Sequence, residues 1–256
     1  LSMELWSLWD WRNDAGDLKD MSCRNLLLKL HRRGLVELPA PTRRPPQMNR
    51  RIERSFEVDE SLIDCRLGTL GRVTLATVHD DVERRRLFQH LLREHHYLGY
   101  GQHVGENIGY VGCTGSGRPV ACLLFGAAAW KARCRDHFIG WDAAQRKDRL
   151  QYLTCNTRFL ILPWIRVKYL ASHLLSQALK RLNEDWLSRY GHEICLVETF
   201  VDRSRFAGTC YRAANWRLLG QTTGRTRQDS AHRIQVPRKD LYVYILNGRF
   251  REVLCQ

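Results

Sequence analysis

The chain has 256 residues, 44% of them hydrophobic and 27% charged, with 41 Lys and Arg against 27 Asp and Glu for a formal charge of +14. That apolar content excludes a disordered chain, and no apolar run approaches the ~20 residues that cross a bilayer, so no membrane partner is expected. The nine cysteines are scattered, odd in number and without C-x-x-C or His/Cys zinc spacing, which reads as reduced thiols in a cytoplasmic protein.

Ser2 can cap a first helix running to about residue 11, with Leu5, Leu8 and Trp9 on one face. Ser22 can cap a second over 23–33, with Leu26, Leu27 and Leu30 at core spacing and Gly34 just past its end. Residues 35–38 read as a short strand. Helix and strand together look like the last helix and wing of a winged helix-turn-helix, a module that sets such a helix in the major groove. Residues 1–38 are therefore expected to form a winged-helix-like DNA-binding domain, with Arg24, Lys29, Arg32 and Arg33 meeting phosphates or base edges. Next comes a basic linker arm, 39–57, stiffened by Pro39, Pro41, Pro45 and Pro46 and carrying Arg43, Arg44, Arg50 and Arg51.

From residue 58 to 256 strands and helices alternate, which predicts an α/β domain. Strands are expected over 73–77, 119–128, 138–141, 158–162, 194–201 and 241–246, and helices over 81–94, 167–186 and 206–218. The 167–186 helix carries Leu170, Leu174, Leu175, Ala178, Leu179 and Leu182 on one stripe, as a helix packed on a sheet should. Seven glycines between 99 and 117 fit neither a dinucleotide fingerprint nor a P-loop and read as a flexible loop or wide hairpin.

The charge is concentrated. Residues 24–54 hold nine Lys or Arg against two acids, residues 203–239 hold nine against one, and the other 188 residues sum to −1. Two separate cationic surfaces fit a polyanion, which on charge alone can be RNA, DNA or anionic lipid; taken with the winged-helix reading, the expected partner is double-stranded DNA. In the second cluster Arg205, Arg212, Asn215, Arg217, Arg225 and Arg227 are candidate contacts.

Three places carry chemistry. His95-His96-Tyr97 ends a charged helix, where His96 can act as a base or ligand and its neighbour as a helix cap. The strand 194–202 places Glu198 on an apolar face and Asp202 near its end. A carboxylate there is either part of a site or paired with an arginine such as Arg158 or Arg205. The block 205–225 brings Tyr211, Arg212 and Asn215 onto adjacent turns, where a phenol can donate a proton or stack on a base.

The blocks 96–99 (HYLG), 120–131 (VACLLFGAAAWK), 158–164 (RFLILPW), 170–175 (LASHLL) and 208–216 (GTCYRAANW), in that order, closely resemble the Druantia anti-phage DruA family. The resemblance covers nearly the whole chain. It implies a role in phage defence or a mobile element, with other defence or transposon proteins as partners. More distantly, a strand, a proline, a helix bearing Ala171-Ser172, an acidic strand end and Gly-x-x-Tyr-x-Ala-x-Asn-Trp over 208–216 look similar to the phage Mom DNA-modification proteins of the GNAT acyltransferase fold. That likeness implies a GNAT-like mixed sheet flanked by helices. It makes Ser172 and Tyr211 active-site residues, Asp202 a pocket residue and Asn215-Trp216 the pocket wall. The coenzyme A motif R/Q-x-x-G-x-G/A would fall on residues 166–171, so Arg166, Ala171 and Ser172 become cofactor candidates, while Tyr169 stands at the first glycine. The cofactor stays open between acetyl-coenzyme A and a divalent metal.

Three functions follow from these residues. One is a DNA-acting enzyme with a GNAT-like core that modifies or processes DNA. The second is a non-catalytic DNA-binding subunit recruiting a helicase, nuclease or transposase. The third is a metal-dependent nuclease built on Glu198, Asp202 and His96.

Overall fold

The computed structural model describes residues 20–39, 56–101, 105–224 and 237–256, with the backbone alone over 20–25. The chain divides into two units, Leu1–Ser55 and Phe56–Gln256. The expected first helix, the linker with Arg43, Arg44, Arg50 and Arg51, and Arg225 and Arg227 lie outside the described residues.

In the first unit, helix α1 (Asp20–Arg32) begins ahead of the expected Ser22 cap, and Gly34 takes the left-handed turn after it (φ 68°). Leu27 is buried, while Lys29, Arg32 and Arg33 are exposed at its end. Residues 35–38 are not a strand. The segment folds back on His31, whose Nδ1 lies 3.0 Å from the Val36 carbonyl, and no partner strand stands beside it among the described residues.

In the second unit a mixed sheet of seven strands runs in the order β2-β3-β4-β5-β7-β9-β8. Its strands are β2 (Thr74–Thr77), β3 (Ile108–Cys113), β4 (Pro119–Ala127), β5 (Leu153–Ile161), β7 (Leu196–Asp202), β8 (Arg217–Gln221) and β9 (Lys239–Ile245). Neighbours are antiparallel except β5 and β7, which run parallel. A separate parallel pair joins β1 (Ile63–Cys65) to β6 (Ile165–Val167). Strand β4 is buried from Val120 to Gly126, which explains its unbroken apolar run.

Helix α2 (Leu67–Leu70) is one short turn. Helix α3 (Val82–His95) is capped by Asp81, whose carboxylate accepts the Arg84 N–H at 2.9 Å. Helices α4 (Arg133–Ile139) and α5 (Ala143–Arg149) follow β4. Helix α6 (Leu170–Tyr190) buries the expected stripe and adds Trp186, each large side chain contributing about 1.5–3 kcal/mol by leaving water. Helices α7 (Thr209–Ala213) and α8 (Phe250–Leu254) are short. Among the described residues no helix is long and apolar enough to cross a membrane.

The glycine-rich segment is in part the wide hairpin expected, since β3 pairs antiparallel with β4, the next strand. Two further expectations need correction. The strand expected over 138–141 is the end of α4, which Gly140 terminates with a left-handed turn. The helix expected over 206–218 stops at Ala213, because Asn215 turns left-handed at φ 63°. There the Trp216 N–H donates to the Tyr211 carbonyl at 3.0 Å, the Asn215 N–H to the Arg212 carbonyl at 3.1 Å, and the Trp216 ring packs on Tyr211. This paired closure with its apolar contact is a helix stop, and the chain leaves it as β8.

The outer edge of β2 is closed by side chains. The carbonyl of Val73 just before it and its outward carbonyls at Leu75 and Thr77 accept from Gln177 (3.1 Å), Arg181 (2.8 Å) and Arg84 (2.8 Å).

Candidate active site

β5 and β7 pair only over Leu153–Leu196, Thr154–Val197 and Cys155–Glu198, and no pairing joins them beyond that point. The next two residues of β5 are Asn156 and the extra residue of a bulge, Thr157, since β4 matches Leu124 to Arg158 but Phe125 to Asn156. A bulge bends the strand and re-aims its side chains. Parting and bulge together open a cleft of about 500 Å³ between the strands, within the range of small-ligand sites.

The bulge leaves carbonyls off the ladder, and Asn156 takes them: its Nδ2 donates to the carbonyls of Leu124 and Arg158, both at 3.1 Å. With both amide protons committed, Oδ1 must accept, and the Tyr211 hydroxyl donates to it at 2.8 Å. Thr199 on β7 completes the floor, donating to the Asn156 carbonyl at 3.0 Å with its hydroxyl 3.4 Å from that of Tyr211. Four elements meet in this neutral buried network. Around it the Tyr211 ring has Trp216 and Phe159 edge-on, and Tyr242 near parallel at 5.9 Å. Burial pushes the Tyr211 phenol far above its ordinary value.

Asp202 and His96 also line the cleft. Asp202 Oδ1 accepts from the Ser204 hydroxyl (2.7 Å) and N–H (3.0 Å), and these bonds hold its carboxyl below the ordinary range. Its Oδ2 has no hydrogen-bond partner among the described residues. His96 is buried, and burial, with Arg158 and Arg205 nearby, pushes its pKa down to about 4. Its ring is neutral at pH 7, and because Nδ1 accepts the Leu98 N–H at 3.2 Å, the proton sits on Nε2. Asp202 thus offers the cleft an anionic acceptor and His96 a neutral donor.

Glu198 is not a cleft residue. Alternation along β7 turns it away from Thr199, and its partner is Arg135 on α4, not Arg158 or Arg205. Glu198 and Arg135 are 1% and 0% exposed and 3.0 Å apart. Glu198 also accepts the Ala129 N–H at 2.6 Å, and Arg135 reaches the Ala129 carbonyl and Asp136. Burial raises the Glu198 carboxyl, and the Arg135 guanidinium opposes that rise. Among the described residues no three His, Cys, Asp or Glu side chains gather as metal ligands would, so Glu198, Asp202 and His96 do not form the triad a nuclease needs.

Of the other described candidates in the second unit, only Ala171 and Arg205 line the cleft. Ser172 donates to the Tyr169 carbonyl at 3.1 Å, and Arg166 is exposed. Asn215 is exposed, and Trp216 packs behind Tyr211, so this pair ends a helix and does not wall the pocket. Arg205 lines the mouth, whereas Arg212 and Arg217 lie exposed on α7 and β8. Sequence reasoning missed Asn156 and Thr199. The only signal was Asn156, an amide that strands disfavour, within the polar stretch from Thr154 to Arg158.

Among solved structures, the chain is similar to the spermidine/spermine N-acetyltransferase SpeG of Vibrio cholerae with manganese ions: 9% identity, TM-score 0.45, covering 72% of this chain and 98% of that one. The spermidine N-acetyltransferase of Vibrio cholerae in complex with CoA and spermine gives 11% identity, TM-score 0.43, and coverage of 68% and 95%. No curated protein matches. The family described as Druantia protein DruA matches residues 29–244. That match takes in the cleft floor, its mouth and most of the sheet, and the chain belongs to the DruA family.

Proposed function

We propose that this chain acts on DNA within an anti-phage defence system and that the cleft between β5 and β7 is where a nucleotide is modified or processed. The observation that carries the reading is the cleft floor. A strand parting and a bulge coincide with a fully satisfied Asn156–Tyr211–Thr199 network, which fixes the walls at the point where they separate. Asp202 Oδ2 is placed to accept an N–H of the ligand, and the His96 Nε2–H to donate to a ring nitrogen or carbonyl. The exposed Lys29, Arg32 and Arg33 of α1 supply cations for the phosphate backbone.

The GNAT resemblance implies coenzyme A at the start of α6. Tyr169 takes there the left-handed backbone (φ 68°) that the motif's glycine would supply, and its side chain stands 77% exposed. The backbone therefore fits the motif, and Arg166 and Ala171 would hold the pyrophosphate. A bound thioester would supply an activated acyl group.

Mass spectrometry of nucleosides from cells carrying the defence locus, with wild-type protein and with Tyr211→Phe, tests the reading. A modified nucleoside that depends on Tyr211 is the expected outcome. Unaltered nucleosides together with full phage protection by Tyr211→Phe would defeat it. One observation favours a second reading, a DNA-binding subunit without chemistry: the Tyr211 proton is already committed to Asn156. On that reading protection survives Tyr211→Phe and collapses when Arg32 and Arg33 are neutralised.

A further inference from the structure

The mouth of the cleft carries aromatic rings that the core does not use. Tyr97 follows α3 and Phe206 follows β7, so they come from opposite lips. The first lip is tied to β5, because Arg158 Nε donates to the Gly99 carbonyl at 2.9 Å. The two rings touch across the mouth, centroids 5.4 Å apart at 56°, so a base enters as they part, and the Arg205 guanidinium sits 4.5 Å over Tyr97. The His96 ring tilts against Tyr97 at 4.8 Å. Tyr97 and Phe206 stay 39% and 48% exposed. Adjacent large rings left in water at the mouth of a cavity mark a contact site.

Charge divides the mouth from the interior. Arg205 stands at the rim, while the carboxylate inside belongs to Asp202, with one oxygen unpartnered among the described residues. A phosphate is repelled from the inside and drawn to the rim, whereas a base can present N–H groups to the carboxylate. The volume of about 500 Å³ admits a single base and not a duplex. A base stacked in duplex DNA cannot reach such a pocket unless it leaves the stack.

We propose that Tyr97, Arg205 and Phe206 form a stacking clamp for one unpaired nucleotide of DNA, with the base entering the cleft and its phosphate held at the rim by Arg205. The clamp rests on the reading that the cleft acts on DNA. Aromatic stacking is tolerant of base identity, so the clamp selects strandedness and not sequence. Arg205 keeps its N–H edges for phosphate while its flat face lies on Tyr97.

Fluorescence anisotropy of the full chain with single-stranded, blunt duplex and single-nucleotide-bulge duplex DNA tests this, with 2-aminopurine at the bulge. The single strand and the bulged duplex are expected to bind more tightly than the blunt duplex, and 2-aminopurine emission to fall as the base stacks. Tyr97→Leu and Phe206→Leu keep apolar bulk without a ring face, and each is expected to lower the ratio of single-strand to blunt-duplex affinity about tenfold. Phe206→Trp is expected to keep it. Leu variants with an unchanged ratio, or blunt duplex bound as tightly as bulged, would overturn the clamp. Should Tyr97→Leu fail to fold, the half-exposed Phe206 variants decide alone. Clamp and function fail separately: unmodified nucleosides with ring-dependent single-strand binding remove the function and keep the clamp, and the reverse pattern removes the clamp.

Discussion

Glu198 and Thr199 are neighbours on β7 and end in two buried polar centres on opposite faces of the sheet. Behind the sheet, Glu198 meets Arg135 in a sealed ion pair that fixes α4 and the Ala129 backbone. In front, Thr199 joins Asn156 and Tyr211 in a neutral network that borders open volume. A charged centre closed on all sides by protein donors has nothing left to offer a ligand. The neutral centre shapes a cavity that Asp202 and His96 also line. Burial of a charge, taken alone, therefore points to the face opposite the cleft.

The largest expected effect breaks the rear centre. Glu198→Ala leaves the Arg135 charge uncompensated and should lower stability by about 3–5 kcal/mol in denaturant unfolding, with Glu198→Leu plus Arg135→Met recovering most of it. A loss under 1 kcal/mol would show that the ion pair is not what holds α4. The front centre should respond differently. Tyr211→Phe leaves Asn156 Oδ1 without its donor, for about 1–3 kcal/mol, and its effect on phage protection should exceed that of a stability-matched core variant.

Acid sharpens the contrast further. His96 and His79 both titrate near 4 when folded, below their ordinary value of 6.5, because burial favours the neutral rings. Their contribution is present in full above pH 6.5 and is lost as pH falls through the folded value near 4. Unfolding midpoints measured between pH 7 and pH 4 should fall, and His96→Gln should flatten part of that fall. The smallest effect is at Tyr242, whose buried hydroxyl has no partner among the described residues and lies where a Gly208 Cβ would meet it at 2.7 Å. Tyr242→Phe should leave stability unchanged or slightly higher, since it removes an unpaired group; a clear loss would reveal a bond to that hydroxyl.

Period and burial made much of the sheet and α6 readable in the sequence: the stripe from Leu170 to Leu182 and the run from Val120 are the ones observed. Helix α4 was not readable, because Phe138, Ile139 and Trp141 look like strand residues and the turn is decided by Gly140 and the burial of Arg135. The stop after α7 was hidden for the opposite reason. Asn215 and Trp216 continue a helical pattern in composition, and only the left-handed φ shows that they close it. At the site, Tyr211, Asp202 and His96 announced themselves by residue type. Asn156 did not, since its role depends on a bulge in β5 that no local pattern encodes, and Glu198 was marked as buried while its partner lay 63 residues away in sequence.

The closed edge of β2 has a consequence for assembly. A sheet recruits another strand through free carbonyls and N–H groups along its margin, and here Gln177, Arg181 and Arg84 already hold three successive outward carbonyls. Among the described residues the β2 margin is thus closed to strand addition. A sheet able to join at one margin alone can form a pair about a two-fold axis but cannot propagate, so a closed β2 margin opposes fibrils.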